Sequence, residues 1–597
     1  MIKRLPRHLN EFSIALAAMG ACFLYLLSRT WMKWGDLIVD TFREFWVPMK
    51  LLEGHVLYRD IFYEYGFFPP YLQAILFKIF GVHLYTLAGL GIVTTLLIAA
   101  AVYLIPRMFL SATVSALTVI VFFLVFAFGY YADNNNFNAI LPYSFASTLF
   151  LLFILYALYF FLRFLQSGQN RFLGLWAFFM SMAMFCRIEI PILAWGGFFV
   201  TGLVYIFNNS GKKNIPIWLL LLLPPLLTAA GYLLFIAVSG SWAGFRESVI
   251  NPLLYLKSDH FQDAVMGTAD TVSSLKIIAG STALTLVLLP LLGAAASGIT
   301  SRSKSAATPT RLPALTSGLL VIALVMIYSP DLLACYQYRC LSLFLPGGIL
   351  YFAWKSIKTK DPVCLQLFCL CLTALIVASR MLLNMGPELY GFYLLVPGLI
   401  VYHLIIFRGV VPRIIRVFPS TAKPFLEVVL ACFLLVLAFD YWGWSVRHYD
   451  SRTLKTVSDH GTFYWVDDHQ TRDIMTTVDY LSRNTSPEQS VVVFPEGIAV
   501  NLLADRKNPL RYCNFMPPVL QYIGEETIIK GLSDSGADYV VVISRDASDY
   551  GYPFFGVHYA RDLYGWIRQN YRLERVIGAM PFESTQFGVA IYRKGRP

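Results

Sequence analysis

Three carboxylates, Asp36, Asp40 and Glu44, recur at intervals of four in the stretch Trp34-Gly-Asp-Leu-Ile-Val-Asp-Thr-Phe-Arg-Glu-Phe-Trp46. On a helix they would share one face. Acids so placed repel one another unless a cation, open solvent or a raised pKa on one of them relieves the repulsion. A carboxylate in that position could take the proton from an attacking hydroxyl. The bland alternative is an interfacial amphipathic helix with solvated acids, Arg43 pairing with Asp40 and Lys33 with Asp36. A fourth acid, Glu496, stands in Phe494-Pro-Glu-Gly-Ile-Ala-Val-Asn, which reads as strand, turn, helix. The turn would put Glu496 at a strand end, a common position for binding residues in α/β domains, although a carboxylate there could equally cap the helix. Arg187 and Glu189, two residues apart between apolar runs, read first as an ion pair that steadies a turn. Asp133-Asn-Asn-Asn-Phe-Asn is a polar loop that could hold sugar hydroxyls, but Asn-rich turns are common.

The elements that position these groups are apolar. Of 597 residues 57% are hydrophobic, 16% aromatic and only 14% charged, with a mean hydropathy of +0.60. A soluble domain usually has about 25% charged residues, so the bilayer is the natural solvent for this chain. Spanning helices are expected near 12–30, 82–105, 111–130, 142–165, 172–187, 190–207, 215–238, 276–297, 314–330, 339–354, 362–380, 390–407 and 425–441. The pair 172–187 and 190–207 reads as a tight hairpin or a re-entrant element. Lys3, Arg4 and Arg7 precede an apolar run too long for a signal peptide's core, with no small-residue cleavage site behind it. That run is expected to remain as the first helix. The cysteines show no CxxC pair and no Cys/His metal spacing.

The net charge of +11 is spread between hydrophobic segments and not gathered into runs, which argues against nucleic acid as a partner. Every second loop is basic, as in the groups Arg163 and Arg171, Lys355, Lys358 and Lys360, and Arg408, Arg413 and Arg416. The positive-inside rule then puts the N-terminus in the cytoplasm and the C-terminal tail outside it. The outer side carries a first loop, 31–81, a second large loop, 239–275, and the tail. Residues 1–441 read as a membrane domain and 442–597 as a soluble α/β domain. In the tail, Val491–Phe494 and Tyr539–Ile543 are β-branched runs typical of buried strands, flanked by helical patterns near 471–483 and 560–570.

The first outer loop continues through Tyr63-Glu-Tyr-Gly-Phe-Phe-Pro-Pro-Tyr71 to Phe80-Gly81. It resembles the first periplasmic loop of GT-C glycosyltransferases, and most closely the protein O-mannosyltransferase and lipid A aminoarabinose transferase branch. Asp40 with Arg43, Pro69-Pro70 and Phe80-Gly81 match that branch in order and approximate spacing. Two departures stand out. The branch's Asp-Glu doublet is Asp40-Thr41 here, and the Lys often found before the two prolines is replaced by Phe67-Phe68. The resemblance implies a GT-C-like polytopic membrane protein of about thirteen spans with an extracytoplasmic C-terminal α/β domain, in a bacterial inner membrane. It implies transfer of a sugar from a polyprenyl-phosphate donor to a lipid, glycan or protein hydroxyl, with inversion. Asp40 would be the base, with Asp36 and Glu44 in support. Arg59, Arg246, Arg339 and Arg380 are the candidates for holding the leaving phosphate, each with a bland alternative as a snorkelling anchor. Tyr338-Arg339 followed by Pro346 resembles an Arg-Tyr-Leu-Leu-Pro-like element of the branch, with the pair reversed. Arg43, Tyr65 and Glu496 are candidates for contacts to the sugar or acceptor. No metal site and no obligatory cofactor are expected, although the acidic face is compatible with a divalent cation.

The rival class is a transporter or lipid flippase. It would show paired repeats, broken helices at the midplane and intramembrane charges. The sequence has no repeat, and its charges cluster at helix ends.

Overall fold

A computed structural model describes residues 7–131, 138–209, 215–254, 260–283, 285–286, 337–387, 391–412, 423–583 and 586–595. The apolar runs fold as helices because a backbone in hydrocarbon must satisfy its own polar groups. The membrane part begins with α1 (Arg7–Thr30). After a loop containing α2 (Asp40–Leu52) and α3 (Phe68–Phe80), it continues with α4 (Leu84–Arg107) and α5 (Ala112–Val121), which runs on as a π-helical turn to Ala127. Next come α6 (Phe145–Ser167), α7 (Asn170–Cys186), α8 (Glu189–Asn208) and α9 (Ile215–Ser239). Later helices are Leu341–Thr359, Pro362–Val377, Val396–Leu404 with a π-helical continuation to Val410, and Lys423–Ser451. Among the described residues, seven helices are long and apolar enough to cross a bilayer, and Ala112–Ala127, Asn170–Cys186 and Pro362–Val377 are shorter apolar ones. The chain is an α-helical polytopic membrane protein with a C-terminal α/β part. The expected hairpin consists of α7 and α8, joined through Arg187 and Ile188. The span expected near 276–297 lies partly outside the described residues. That near 314–330 and the Asn-rich loop at 132–137 lie wholly outside them.

The loop after α1 does not form one continuous helix, and this alters the expected row of acids. Gly35 has φ +77°, and a Cβ there would sit 2.0 Å from the Thr41 hydroxyl, so the chain turns where only glycine fits. Asp36 then accepts the amides of Ile38 (2.9 Å) and Val39 (3.4 Å) with its side chain, and that of Thr41 (2.9 Å) with its carbonyl. Asp36 thus caps the turn, α2 starts at Asp40, and only Asp40 and Glu44 share its face. The paired prolines occupy the first positions of α3, where no intrahelical N–H is missed.

The tail grows directly out of the membrane, because the helix Lys423–Ser451 is followed at once by strand β1 (Arg452–Ser458). β1 pairs antiparallel with β2 (Gly461–Val466). This ribbon rests on the bundle end that carries the first loop: Tyr464 N–H donates to Met32 O (3.1 Å), Leu84 N–H to His460 O (2.8 Å), and Thr462 N–H to the Tyr85 hydroxyl (3.0 Å). Beyond it, β3 (Val491–Phe494), β4 (Tyr539–Ile543), β5 (Tyr571–Gly578) and β6 (Gly588–Lys594) form a sheet in the order β3-β4-β6-β5, with β3 and β4 parallel and the other pairs antiparallel. Successive strand residues face opposite sides. Val491, Val493 and Val541 pack with Ile474, Val478 and Leu481 of the helix His469–Asn484, while Val492, Phe494, Val540 and Val542 pack with Phe515, Ile528 and Leu532. Burial of both faces explains why β3 and β4 read as unbroken apolar runs.

The first loop is also fastened to the tail. Phe62 sits in the tail's core cluster, and its N–H donates to Arg511 O at 2.8 Å. Arg511 donates to Tyr58 O (2.6 Å) and pairs with Glu247 (3.2 Å), and the Tyr522 hydroxyl donates to Glu64 (2.5 Å).

Candidate active site

Where the first loop, the bundle end and the tail meet, they enclose a polar cavity of about 250 Å³. Asp40 and Arg43 come from α2, Glu64 and Tyr65 from the first loop, and Tyr143 from the loop before α6. Arg380 comes from the turn after the helix Pro362–Val377, and Glu496 and Arg545 from the tail.

Asp40 stands in the first turn of α2, where the helix dipole favours negative charge. It pairs with Arg43 across 3.1 Å, and both side chains are largely buried. Burial pushes its carboxyl up to about 7; Arg43 opposes the shift, and the negative charges of Asp36 and Glu496 add to it. A carboxyl near neutrality in a cavity is suited to taking a proton at physiological pH. Arg43 is held in turn by donating to Tyr143 O (2.6 Å).

Glu44 has a different environment. It is fully buried and does not line the cavity. One oxygen accepts the Phe145 amide (2.9 Å) at the start of α6 and the Gln73 side-chain amide (3.4 Å) of α3, so this carboxylate joins three helices. Burial raises its pKa above the ordinary value, with Arg43 opposing.

The tail contributes a second acid–base pair: Glu496 and Arg545 meet at 2.7 Å. Burial raises the Glu496 pKa and Arg545 opposes the shift. Glu496 lies two residues beyond β3 and Arg545 two beyond β4, so both project from the carboxyl ends of parallel strands, the edge at which such sheets bind ligands.

Of the four arginines expected to meet a phosphate, the cavity contains Arg380. Its positive charge acts on Glu189 and on Tyr143, and its guanidinium faces the space a ligand would fill. Arg59 is exposed and paired with Asp60 at 2.9 Å. Arg246 is exposed on the 242–254 segment, outside the cavity. Arg339 is buried and bonded to the Asn384 side chain, also outside it. The three residues expected at the sugar or acceptor, Arg43, Tyr65 and Glu496, all line the cavity. Arg187 does pair with Glu189 (2.6 Å), and its guanidinium also lies 5.0 Å over the Tyr65 ring and donates to Ser147 (2.8 Å), so the pair backs the cavity wall. Arg545, Asp546, Glu64 and Tyr143 escaped the sequence reading. Arg545 alone had a usable signal, since the strand-end reasoning applied to Glu496 fits β4 equally. No group of three or more His, Cys, Asp or Glu arranged to hold a metal ion occurs among the described residues.

No family model matches this sequence, and no curated protein does. Solved structures share its fold. The oligosaccharyltransferase of Archaeoglobus fulgidus in its apo form aligns at a TM-score of 0.51 with 12% identity, over 88% of this chain and 69% of that one. The same enzyme in complex with Zn and sulfate gives 0.51 and 13%, over 96% and 73%. ArnT from Cupriavidus metallidurans, bound to undecaprenyl phosphate, aligns at 0.48 with 10% identity over 97% of both chains. At such identities the likeness to the oligosaccharyltransferase shows the fold alone.

Proposed function

We propose that this chain is an inverting glycosyltransferase of the GT-C type, which moves a sugar from a polyprenyl-phosphate donor to a hydroxyl of a lipid, glycan or protein at the outer face of a bacterial inner membrane. The observation that carries this reading is the shared cavity of Asp40, a buried carboxyl near neutrality, and the Arg380 cation. The cavity lies at a bundle end, where a lipid-linked donor keeps its tail in hydrocarbon and presents its phosphosugar head. The orientation rests on the opposite end, where helices terminate in Arg107, Arg163, Arg171, Lys355 and Lys358, the basic side that faces the cytoplasm.

In this mechanism the Asp40 carboxylate accepts the proton of the acceptor hydroxyl as its oxygen attacks the anomeric carbon. The bond from that carbon to the phosphate oxygen breaks on the opposite face, so the configuration inverts and polyprenyl phosphate departs. Arg380 donates to the phosphate as charge accumulates on it, the kind of stabilisation that grows in the transition state. Arg43 keeps Asp40 ionisable. Glu496, Arg545 and Tyr65 line the remaining wall and would hold the sugar or acceptor hydroxyls. Asp40 and Glu496 are each committed to an arginine, so the steps are assigned to side chains; a divalent cation is compatible with the acidic lining but has no step here.

The test is transfer from a panel of radiolabelled polyprenyl-phosphate sugars to membrane-lipid and glycan acceptors by wild-type and Asp40→Asn protein. The expected result is transfer by the wild type and its loss in a variant that still folds and binds donor. Full activity in Asp40→Asn would remove Asp40 as the base.

A further inference from the structure

The end of the bundle remote from the cavity has a groove of its own, about 330 Å³ in volume. Its floor is the helix Pro362–Val377, and its walls are Leu341–Thr359 and the Val396–Val410 segment. Phe344, Phe352, Leu367 and Leu404 make it apolar along its length, whereas Lys355 and Arg408 stand together at one end. The Lys355 ammonium lies 5.6 Å over the Tyr351 ring and the Arg408 guanidinium 5.6 Å over that of Phe109. Neither side chain has a hydrogen bond or ion pair among the described residues. The one acid in the lining, Asp361, is engaged in capping the floor helix through the Val363 amide (2.9 Å) and the Cys364 thiol (3.3 Å).

An apolar trough closed at one end by two unpaired cations is complementary to an anionic amphiphile. We infer that this groove binds one anionic phospholipid of the surrounding bilayer, its phosphate between Lys355 and Arg408 and an acyl chain along the trough. A water-soluble anion would have no use for the trough, and a neutral lipid none for the cations. The lipid-linked donor is not the occupant. The floor helix has 16 residues and so is about 24 Å long, and it separates this phosphate position from Arg380 at its other end.

The experiment is native mass spectrometry of the full-length protein, titrated with phosphatidylglycerol and with phosphatidylcholine. The wild type should hold one phosphatidylglycerol in preference to phosphatidylcholine. Lys355→Gln with Arg408→Gln should weaken that binding about 30-fold, on the basis of roughly fivefold per basic side chain at an anionic lipid surface. Ile405→Trp, which fills the trough and leaves both charges, should also displace the lipid. Lys358→Gln should not, since that ammonium lies over the Trp354 ring and outside the groove. Thermal melting establishes that each variant is folded, and the two polar-end changes, being at helix ends, keep the test open if the tryptophan is not tolerated. Equal binding of the two lipids, an equal loss in Lys358→Gln, or retention of polyprenyl phosphate at this site would overturn the inference.

Discussion

Replacing Arg43 by glutamine should displace the pH profile of sugar transfer toward alkaline pH and leave the reaction itself intact. Arg43 and Asp40 are 3.1 Å apart. At an effective dielectric constant of 20 their attraction is at most about 5 kcal/mol, which corresponds to an upper bound of about 4 pH units. Both groups retain some solvent contact, with 13% and 17% of their side chains exposed, so the displacement is better set at the 1–3 units typical of such pairs. The direction follows from the role. A base works when deprotonated, so the rate rises with pH through the pKa of Asp40, about 7 in the native protein. Without Arg43 the carboxyl moves further up by that amount. At pH 7 the ionised fraction then falls from about half to between roughly a tenth and a thousandth, a loss of about 5- to 500-fold that is recovered as pH rises. Initial rates between pH 5.5 and 10 for the wild type, Arg43→Gln and Arg43→Lys would measure this, the lysine variant keeping the charge and most of the profile. An equal loss at every pH, or a profile moved toward acid, would refute the assignment of Arg43 as the group that keeps Asp40 ionisable.

Removing the cavity's Arg380 cation should act on the chemical step: Arg380→Gln is expected to lower kcat by about 10²–10³, whereas Arg59→Gln and Arg246→Gln, outside the cavity, should stay within about twofold of wild type, all read by the same transfer assay. Glu44 should behave as a structural residue. Glu44→Ala strips acceptors from the Phe145 and Gln73 amides and should cost about 2–3 kcal/mol, seen as a lower melting temperature, while Glu44→Gln keeps an acceptor for Phe145 and loses less.

The membrane helices were legible because hydrocarbon imposes a simple demand, an unbroken apolar run, and such runs are visible one at a time. Strands β3 and β4 were legible for the same reason, being buried on both faces. Strand β5 was not: its residues from Arg572 to Val576 are all exposed, and a strand that is wet on both faces there and carries a bulge has no apolar pattern to read. The fate of Asp36 could not be read from spacing. An interval of four implies a shared face only if the helix is already running, and Gly35 delays its start to Asp40. Arg339 and Arg380 look alike in sequence, each a cation at the end of an apolar run. What separates them is Asn384, which engages Arg339 by a contact across 45 positions of chain.

The larger gap concerns the tail. Its strand-end residues were read as one acid near a helix, but Glu496 has meaning only with Arg545, and the pair only with Asp40. Neither the first loop nor the tail encloses the cavity alone. The loop's conformation also depends on the tail, because Tyr58, Phe62 and Glu64 are each held by Arg511 or Tyr522. The motif that stood out in the sequence is therefore one wall of a site whose other wall begins more than four hundred residues later. The tail acts on Asp40 electrostatically as well as sterically: Glu496 raises the Asp40 pKa while Arg545 lowers it. A change in the tail that separates that pair should therefore be felt at the base.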